Sequence, residues 1–288
     1  MVDLSKTALV LEGGGFRGMF TAGVLDAFQV NNLHFPYVVG VSAGAAYGIS
    51  YVSKQYGRNK VVNEKYTADP RYMSWRNLYK KGNLFDWDFV YGEIPNNLEP
   101  FDFEAFYRSP CDFVVGVTDV MSGQAEYLQT KNMDRAALLK AITASSSLPF
   151  VSKMVRLNGH EYMDGGLADS IPVMHALNSG YERAVVVLTR NEGYQKKSPK
   201  FRFLIKCIYR KYPKLVASIL SRAERYNKTL VQLHKLEQEG RVYIIRPQQL
   251  LAVSRIENNP QKLDALHRQG MDESEGHMTA LEAWLVKG

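Results

Sequence analysis

The sequence has little cysteine and no long uncharged apolar run, and each absence narrows the kind of protein it encodes. Cys111 and Cys207 are the only cysteines among 288 residues, and their separation matches neither a disulfide framework nor a zinc site. No apolar segment has the length that crosses a bilayer, and residues 1–11 lack the basic start and apolar centre of a signal peptide. We therefore expect a cytoplasmic protein without a bound metal, whose membrane contact would be peripheral to the inner face of the membrane.

Acidic residues are missing between Asp26 and Glu64, and this absence bears on the glycine-rich stretch 13–18. The glycines of the stretch fit the fingerprint G-x-G-x-x-G of dinucleotide-binding proteins. That fingerprint needs an acidic residue about twenty positions later to hold the ribose, and the chain has none there. No Lys-Ser or Lys-Thr pair follows the glycines, which removes a P-loop. Nucleotide binding is therefore disfavoured, and we expect no cofactor.

What the chain does hold is a serine where a predicted buried strand meets a predicted helix. The stretch Gly40–Gly44 follows the apolar run 37–39 and precedes the apolar residues 45–52. A serine at such a turn is exposed, and the flanking glycines are needed because a Cβ would collide with the neighbouring strand or helix. A chance match is the alternative for the five-residue pattern alone. The strand-to-helix setting favours Ser42 as a nucleophile.

The glycine-rich stretch lies between a predicted strand at 6–11 and a predicted helix at 19–30. Only 24 residues separate Gly18 from Ser42, which allows one helix and a parallel return strand. A right-handed crossover then places the glycine turn and Ser42 at the same edge of the sheet. Backbone N–H groups of such a turn can stabilise the oxyanion that forms over a serine. The alternative is that the glycines only make a tight turn.

A serine nucleophile needs a base, and the histidines of this chain are poorly placed to act as one. His160 lies in a predicted hairpin turn and His175 on a predicted helix, so surface or packing roles are favoured for both. Asp164 ends a predicted strand and is followed by Gly165 and Gly166. A plain turn residue is the alternative for an Asp-Gly pair. Asp164 is nevertheless the better-placed base, provided that burial or a short hydrogen bond aligns the serine proton.

The simplest organisation is a single domain over residues 1–288. Residues 57–110 are rich in aromatic side chains and lack clear periodicity, so we expect short helices that form a lid or insertion over an apolar pocket. Packing of these rings into a sub-core is the alternative. Residues 193–288 are expected to form a basic, helical C-terminal extension. Further strands are predicted at 112–118, 124–129, 152–157, 161–163, 183–189 and 241–245, and further helices at 133–143 and 261–286.

Four ordered blocks of the sequence resemble the signature of the patatin-like phospholipase family, specifically its bacterial branch. The blocks are Gly13–Gly18, Gly40–Gly44, Ala144–Pro149 and Asp164–Gly166. The similarity spans about residues 5–190, and four blocks in order are far more specific than any one of them. The resemblance implies an α/β fold, a three-layer α/β/α sandwich with a mostly parallel central sheet. It also implies a lipid acyl hydrolase with a Ser-Asp dyad and no histidine.

Position by position, the resemblance implies that Ser42 is the nucleophile and Asp164 its base. The N–H groups of Gly14 and Gly15 would form the oxyanion hole, and Arg17 would brace that loop. Supporting positions implied by the same blocks are Gly13, Gly18, Gly40, Gly44, Gly165 and Gly166. The expected substrate is a lipid or fatty acyl ester, in particular a phospholipid. An acyltransferase on the same scaffold and a non-enzymatic lipid-binding or regulatory protein are the alternatives.

Positive charge is concentrated in one stretch of the chain. The net charge is +7, and residues 193–223 hold nine Lys or Arg and no acid. Within this stretch, residues 196–214 interleave cations with aromatic and aliphatic side chains, a composition that suits docking onto anionic lipid headgroups. A solvated helix face is one alternative and a nucleic-acid contact another, although no nucleic-acid partner is expected. We therefore expect peripheral membrane contact through residues 196–214.

Overall fold

The structure is a computed structural model that describes residues 3–249 and 253–287. Its centre is an eight-stranded sheet. The strands are β1 (Thr7–Leu11), β2 (Tyr37–Val41), β3 (Asp112–Asp119), β4 (Ala125–Gln129), β5 (Val155–Leu157), β6 (His160–Asp164), β7 (Arg183–Val187) and β8 (Val242–Ile245). Their order in the sheet is β5-β6-β3-β2-β1-β7-β8, and β4 pairs with β3 in addition.

The centre of the sheet is parallel, as the sequence predicted. β1 pairs in parallel with β2 and with β7, and the parallel pairing continues from β2 to β3 and from β7 to β8. The antiparallel pairs involve β4, β5 and β6. Parallel strands are buried on both faces and therefore need continuous apolar sequence rather than alternation. All five residues of β1 and of β2 are buried.

Helices occupy both faces of the sheet. They are α1 (Met19–Val30), α2 (Ala43–Val52), α3 (Arg58–Tyr66), α4 (Trp75–Lys81), α5 (Phe103–Arg108), α6 (Arg135–Ser146), α7 (Val173–Asn178), α8 (Arg202–Ile208), α9 (Pro213–Gln238) and α10 (Pro260–Val286). Short 3-10 turns lie at Gly15–Gly18 and Gly165–Leu167, and a π-helix lies at Phe89–Leu98. Within residues 3–249 and 253–287, no helix combines the length and apolar character that crossing a membrane requires.

Alternate residues of each central strand enter two separate cores, which defines the three layers. Leu9 and Leu11 of β1 pack with buried residues of α1, α2, α6 and α10. Ala8 and Val10 of the same strand pack with buried residues of α7 and α9 on the other face. This two-sided division follows from the period of two along a strand. The fold is therefore the predicted α/β/α sandwich.

Two local predictions agree with the structure, and the predicted end of one helix differs from it. The turn at Asn158 and Gly159 has positive φ angles of 49° and 84°, the geometry that an Asn-Gly hairpin turn favours. Residues 58–108 form short helices, as expected for the aromatic-rich segment. Helix α6 continues to Ser146, three residues beyond its predicted end, because the proline at position 149 restricts only the residue before it.

The C-terminal helix α10 packs closely against α1, and glycines permit the approach. A Cβ at Gly270 would overlap the carbonyl oxygen of Phe20. In the same interface, His267 Nε2 lies 2.7 Å from Asp26 Oδ2, and both side chains are buried. The contact between α1 and α10 therefore depends on small residues and on one buried polar pair.

We predict that Gly270→Ala lowers the free energy of unfolding by about 1–3 kcal/mol, because the new methyl group must displace α1 backbone. Gly276→Ala on the same helix is the control, since nothing lies within 4 Å of its Cβ position. Its better helix propensity should raise stability by about 0.5–1 kcal/mol. Urea unfolding followed by circular dichroism measures both. Equal effects of the two substitutions would contradict the close approach.

Candidate active site

Two strands meet end to end along one edge of β3. Val41, the last residue of β2, pairs with Gly116, and Asp164, the last residue of β6, pairs with Val117. β4 pairs with both stretches of β3, so it occupies the opposite edge. β2 and β6 therefore approach each other along the remaining edge, one parallel and one antiparallel to β3. Because Ser42 directly follows β2, it lies with Asp164 at this junction.

Ser42 has the backbone conformation of a strained turn between strand and helix. Its φ and ψ are 55° and −121°, and α2 begins at the next residue. Such a conformation is rarely adopted by a non-glycine residue and is found where function requires it. A Cβ at Gly44 would overlap the carbonyl oxygen of Leu11, and one at Gly40 would lie 2.7 Å from Ala45 N. These contacts explain why both flanking positions hold glycine.

The end of α6 holds both strands of the junction in place. The Ser42 N–H donates to Ser145 Oγ at 2.7 Å, and the Ser145 hydroxyl donates to the carbonyl oxygen of Gly116 at 2.6 Å. The N–H of Asp164 donates to the carbonyl oxygen of Ser147 at 2.8 Å. Residues of the third sequence block, Ala144–Pro149, therefore form hydrogen bonds with the backbone of both the serine turn and the aspartate.

Asp164 is buried, with 1% of its surface exposed, and its two carboxylate oxygens have different surroundings. Oδ1 accepts a hydrogen bond from the N–H of Gly166 at 2.8 Å. Oδ2 is also buried and has no hydrogen-bond partner among the described residues. The Thr118 hydroxyl donates to the Asp164 carbonyl oxygen at 2.9 Å and fixes the backbone. One carboxylate oxygen is thus oriented by the turn, and the other accepts no hydrogen bond from the described residues.

The glycine loop lies against the serine turn. A Cβ at Gly13 would lie 3.0 Å from Ser42 Cβ, and the Gly13 N–H donates to the carbonyl oxygen of Ser170 at 3.4 Å. Gly15 has φ of 59°, the left-handed region that favours glycine. Within the described parts of the chain, the N–H groups of Gly14 and Gly15 donate to no acceptor. Both donors are therefore available to an oxyanion.

Arg17 is buried within the glycine loop, with 5% of its surface exposed. Its Nε atom has no hydrogen-bond partner among the described residues, so no hydrogen bond from this atom accounts for the expected bracing. Burial, together with the charges of Arg190 and Arg255, lowers the pKa of Arg17 to about 10. The guanidinium therefore stays charged at neutral pH, and it forms no salt bridge within the described residues.

An apolar cavity of about 90 Å³ opens at Ser42. Its lining includes Tyr72, Phe85, Trp87 and Tyr91 from the aromatic-rich segment. Phe85 and Trp87 stack at 5.2 Å, and Trp87 and Tyr91 stack at 5.5 Å between ring centroids. The rings therefore both pack against one another and line the cavity. An acyl chain bound there would lie against apolar and aromatic surface.

The histidines lie away from the junction. His175 stacks on Tyr127 at 3.6 Å between ring centroids, and burial lowers its pKa. His160 Nδ1 lies 3.4 Å from Asp119 Oδ2. His160, Asp119 and Glu126 place possible metal ligands within 4.8 Å of one another. Asp119 and Glu126 already accept hydrogen bonds from the Ser122 N–H and the Tyr162 hydroxyl, and we assign no metal to the cluster.

Fold and site together define an α/β protein with a serine at a strand-to-helix turn and a glycine loop beside it. A family model described as patatin-like phospholipase matches residues 9–177, more than half of the chain. The chain therefore belongs to the patatin-like phospholipase family, as the four sequence blocks predicted. Membership supports lipid acyl hydrolysis as the general class of activity. A second family model, described as a domain of unknown function (DUF6363), matches residues 212–286.

The chain is also similar to individual proteins, in sequence or in structure. The uncharacterized protein YjjU of Escherichia coli (strain K12) is 33% identical over 198 residues, which cover 64% of this chain and 52% of that protein. The chain thus spans about half the length of this relative. Among solved structures, VipD from Legionella pneumophila has a TM-score of 0.48 at 12% identity, covering 97% of this chain and 68% of that one. The type III effector protein ExoU has a TM-score of 0.42 at 11% identity, covering 98% and 54% respectively.

Several residues of the site were not assigned from sequence. Ser145 lies in a recognised block, but the pattern did not show that its hydroxyl bonds to the Ser42 backbone. Ser170 holds the aspartate turn, since its hydroxyl donates to the carbonyl oxygen of Gly166 at 2.8 Å. Lys196 was grouped with the exposed cations of residues 196–214, whereas the structure places it half-buried over a tyrosine ring. No local pattern signals these long-range contacts.

We predict that Ser145→Ala lowers the free energy of unfolding by about 1–3 kcal/mol, because it leaves the buried N–H of Ser42 without an acceptor. Ser147→Ala is the matched control: Ser147 is equally buried, but its hydroxyl only donates to the Thr143 carbonyl one helical turn earlier. Chemical denaturation compares the two variants. A control variant as unstable as Ser145→Ala would remove the special role of the Ser145 hydroxyl.

Proposed function

We propose that the protein is a serine esterase that hydrolyses fatty acyl esters, specifically phospholipids, through a covalent acyl-Ser42 intermediate. One observation carries this proposal above the others. The Oδ2 atom of buried Asp164, which has no hydrogen-bond partner among the described residues, lies at the junction where β2 ends and Ser42 follows. A buried carboxylate oxygen without a hydrogen-bond donor destabilises the folded protein, and such groups are concentrated at functional sites. We therefore assign Asp164 Oδ2 as the proton acceptor for the Ser42 hydroxyl.

In the proposed reaction, Ser42 Oγ forms a bond to the acyl carbonyl carbon while its proton moves to Asp164. The electron pair of the carbonyl bond moves onto oxygen, and the N–H groups of Gly14 and Gly15 stabilise the oxyanion. Collapse of this intermediate breaks the ester bond, and the leaving alkoxide takes the proton from Asp164. Water then attacks the acyl-serine by the same steps and releases the fatty acid.

The surroundings of the dyad support an ester substrate. A carboxylate is a weaker base than imidazole, so it serves best when the serine proton is aligned and the leaving group departs readily. An ester alkoxide departs more readily than an amide nitrogen. The aromatic cavity beside Ser42 supplies apolar surface for an acyl chain. Acyl ester hydrolysis accounts for both features at once.

We predict that Ser42→Ala and Asp164→Asn each reduce hydrolysis of a p-nitrophenyl fatty acyl ester by roughly 10³-fold or more, as removal of one member of a catalytic set does. Asp169→Asn is the control for the aspartate. Asp169 accepts hydrogen bonds from the Tyr127 hydroxyl and the Ile171 N–H, and it is assigned no part in the reaction. It should keep most of the activity.

Circular dichroism of each variant separates loss of activity from loss of fold. Substantial hydrolysis by folded Asp164→Asn would remove Asp164 as the base. Equal losses in Asp164→Asn and Asp169→Asn would attribute the effect to the loop as a whole rather than to the dyad.

We also propose that α8 docks onto an anionic membrane surface. Two buried residues, Ile205 and Tyr209, anchor the helix. Around them, Phe201, Phe203 and Ile208 are 73%, 81% and 53% exposed. Large exposed apolar side chains among cations suit an interfacial helix that lies in the headgroup region. Exposed cations of this surface are Lys200, Arg202, Lys206, Arg210, Lys211 and Lys214.

The α8 surface adjoins the entrance to the serine cavity. The Tyr209 hydroxyl accepts a hydrogen bond from the Phe150 N–H at 2.9 Å, and the two rings are 5.5 Å apart. Leu148 and Val151, on either side of Phe150, line the cavity that contains Ser42. A membrane that contacts α8 would therefore lie close to the place where an acyl chain enters.

We predict that Phe201→Ser with Phe203→Ser weakens sedimentation with anionic vesicles several-fold, because the apolar anchors are lost. Val231→Ser is the control, since Val231 is 73% exposed on α9 and belongs to another surface. The measurement compares vesicles with and without anionic lipid. Equal binding of the wild-type protein to neutral vesicles would remove the electrostatic contribution, and unchanged binding of the double variant would remove α8.

A further inference from the structure

Positive charge exceeds negative charge around the glycine loop. The acidic side chains there are Glu12 and Asp164. Glu12 is buried and already accepts hydrogen bonds from the Thr189 N–H at 2.6 Å and the Tyr226 hydroxyl at 2.7 Å. Five basic side chains, four of them arginines, belong to this region, and none forms a salt bridge within residues 3–249 and 253–287. They are Arg17, Arg190, Lys196, Arg222 and Arg255.

Arg222 of α9 lies beside the catalytic aspartate without forming a close ion pair with it. If Gly166 carried a Cβ, that atom would lie 2.9 Å from Arg222 Nη2 and 2.9 Å from Asp164 Oδ1. Both side chains therefore border the same small space beside Gly166. The Nε atom of Arg222 is buried and has no hydrogen-bond partner among the described residues. Burial lowers the pKa of Arg222 to about 10, which leaves it charged at neutral pH. At least one of its donors therefore lacks an acceptor.

Lys196 reaches the same region from the segment that precedes α8. Its Nζ lies 3.7 Å from the centroid of the Tyr226 ring, and the Tyr226 hydroxyl bonds to Glu12. Its backbone is fixed by two hydrogen bonds with the side chain of Asn227, at 2.8 and 3.1 Å. Burial, together with the charges of Arg222 and Arg255, lowers the pKa of Lys196 to about 6, so the amine is largely neutral at neutral pH in the absence of an anion. A bound anion would reverse this shift.

Arg255 completes the group from the other side of the glycine loop. Its carbonyl oxygen accepts a hydrogen bond from the Phe16 N–H at 3.3 Å, which holds its backbone against the loop. Arg255 is also among the residues that line the cavity containing Ser42. The glycine loop, the segment before α8, helix α9 and the segment before α10 thus each contribute a basic side chain to this region.

Uncompensated charge in a partly buried place is unfavourable, so an excess of cations signals an anionic partner. Guanidinium groups bind phosphate through paired N–H donors, and several of them favour an anion with more than one charge. A fatty acid carboxylate carries a single charge, whereas a phosphomonoester carries up to two. The number of cations at the junction therefore favours phosphate over carboxylate.

We propose that Arg17, Lys196, Arg222 and Arg255 form a phosphate-binding subsite beside Asp164, which selects acyl esters that carry a phosphate group near the scissile bond. The preference for such substrates rests on the proposed esterase function, whereas anion binding itself does not. The aromatic cavity would hold the acyl chain and the cationic subsite the phosphate of the alcohol portion.

The subsite also gives the C-terminal region a role. Lys196, Arg222 and Arg255 lie outside residues 9–177, which match the patatin-like model. Arg222 and Arg255 lie within residues 212–286, which match the domain of unknown function. Residues 212–286 would therefore contribute to substrate selectivity, whereas the reacting groups of the site come from residues 9–177.

The first experiment measures anion binding without any reaction. Calorimetry on the full chain uses inorganic phosphate, glycerol 3-phosphate and decanoate. We expect both phosphates to bind, and Arg222→Gln and Lys196→Gln to weaken their binding at least tenfold. Lys235→Gln is the control, because Lys235 is exposed further along α9. Binding of decanoate alone would assign the subsite to the acid product, and equal phosphate binding by all variants would overturn the proposal.

The second experiment measures selectivity with two substrates that differ by one phosphate: a lysophosphatidic acid and the monoacylglycerol with the same acyl chain, both in neutral detergent micelles. We expect kcat/KM to favour the phosphate-bearing ester in the wild-type protein, and Arg222→Gln to reduce that ratio at least tenfold. Arg222→Lys should restore part of it, and Lys235→Gln should leave it unchanged.

The two experiments separate the possible failures. If Arg222 only balances the charge of Asp164, its loss will lower hydrolysis of both esters equally and leave the ratio unchanged, which would overturn the selectivity. If the wild-type protein binds phosphate but hydrolyses neither ester, the esterase function fails while the anion site stands. A wild-type ratio near one together with absent phosphate binding would overturn the subsite alone.

Discussion

Two strands that approach each other along one edge of β3 determine the position of everything at the candidate site. β2 ends at Val41 opposite Gly116, and β6 ends at Asp164 opposite Val117, so Ser42, which directly follows β2, lies at the junction with Asp164. Because main-chain pairing fixes both ends, their proximity does not depend on side-chain rotamers or on a mobile loop. Sites on regular elements hold geometry better than sites on loops, and the proposed dyad, with only two side chains, needs that rigidity.

The rest of the molecule supports this junction from three directions. The hydroxyl of Ser145 fixes the serine turn, the N–H of Gly166 fixes one carboxylate oxygen, and the glycine loop leaves two N–H groups without acceptors among the described residues. The aromatic segment closes the apolar side of Ser42, and α9 brings the Arg222 guanidinium to the side of Asp164. Strain at Ser42 and an unpaired oxygen on Asp164 persist because the surrounding structure compensates for them.

Sequence patterns predicted the fold correctly because its signals are local, and the candidate residues of the site were inferred from equally local patterns. The glycine loop, the serine turn and the Asp-Gly-Gly turn each occupy a few consecutive positions, and buried parallel strands produce continuous apolar runs. The contribution of Arg222 could not be seen in this way, since it depends on which face of α9 lies against Gly166. Lys196 was misplaced for a related reason. Neighbouring lysines are exposed, and only tertiary contacts with Tyr226 and Asn227 separate it from them.

The central claim is that Asp164 activates Ser42 at the strand junction. Labelling with a fluorophosphonate, followed by peptide mapping, tests this claim most directly because the probe reacts only with an activated serine. The account predicts a single adduct on Ser42 in the wild-type protein and a rate of labelling that falls by orders of magnitude in folded Asp164→Asn. Labelling of another serine, or an unchanged rate in Asp164→Asn, would contradict it.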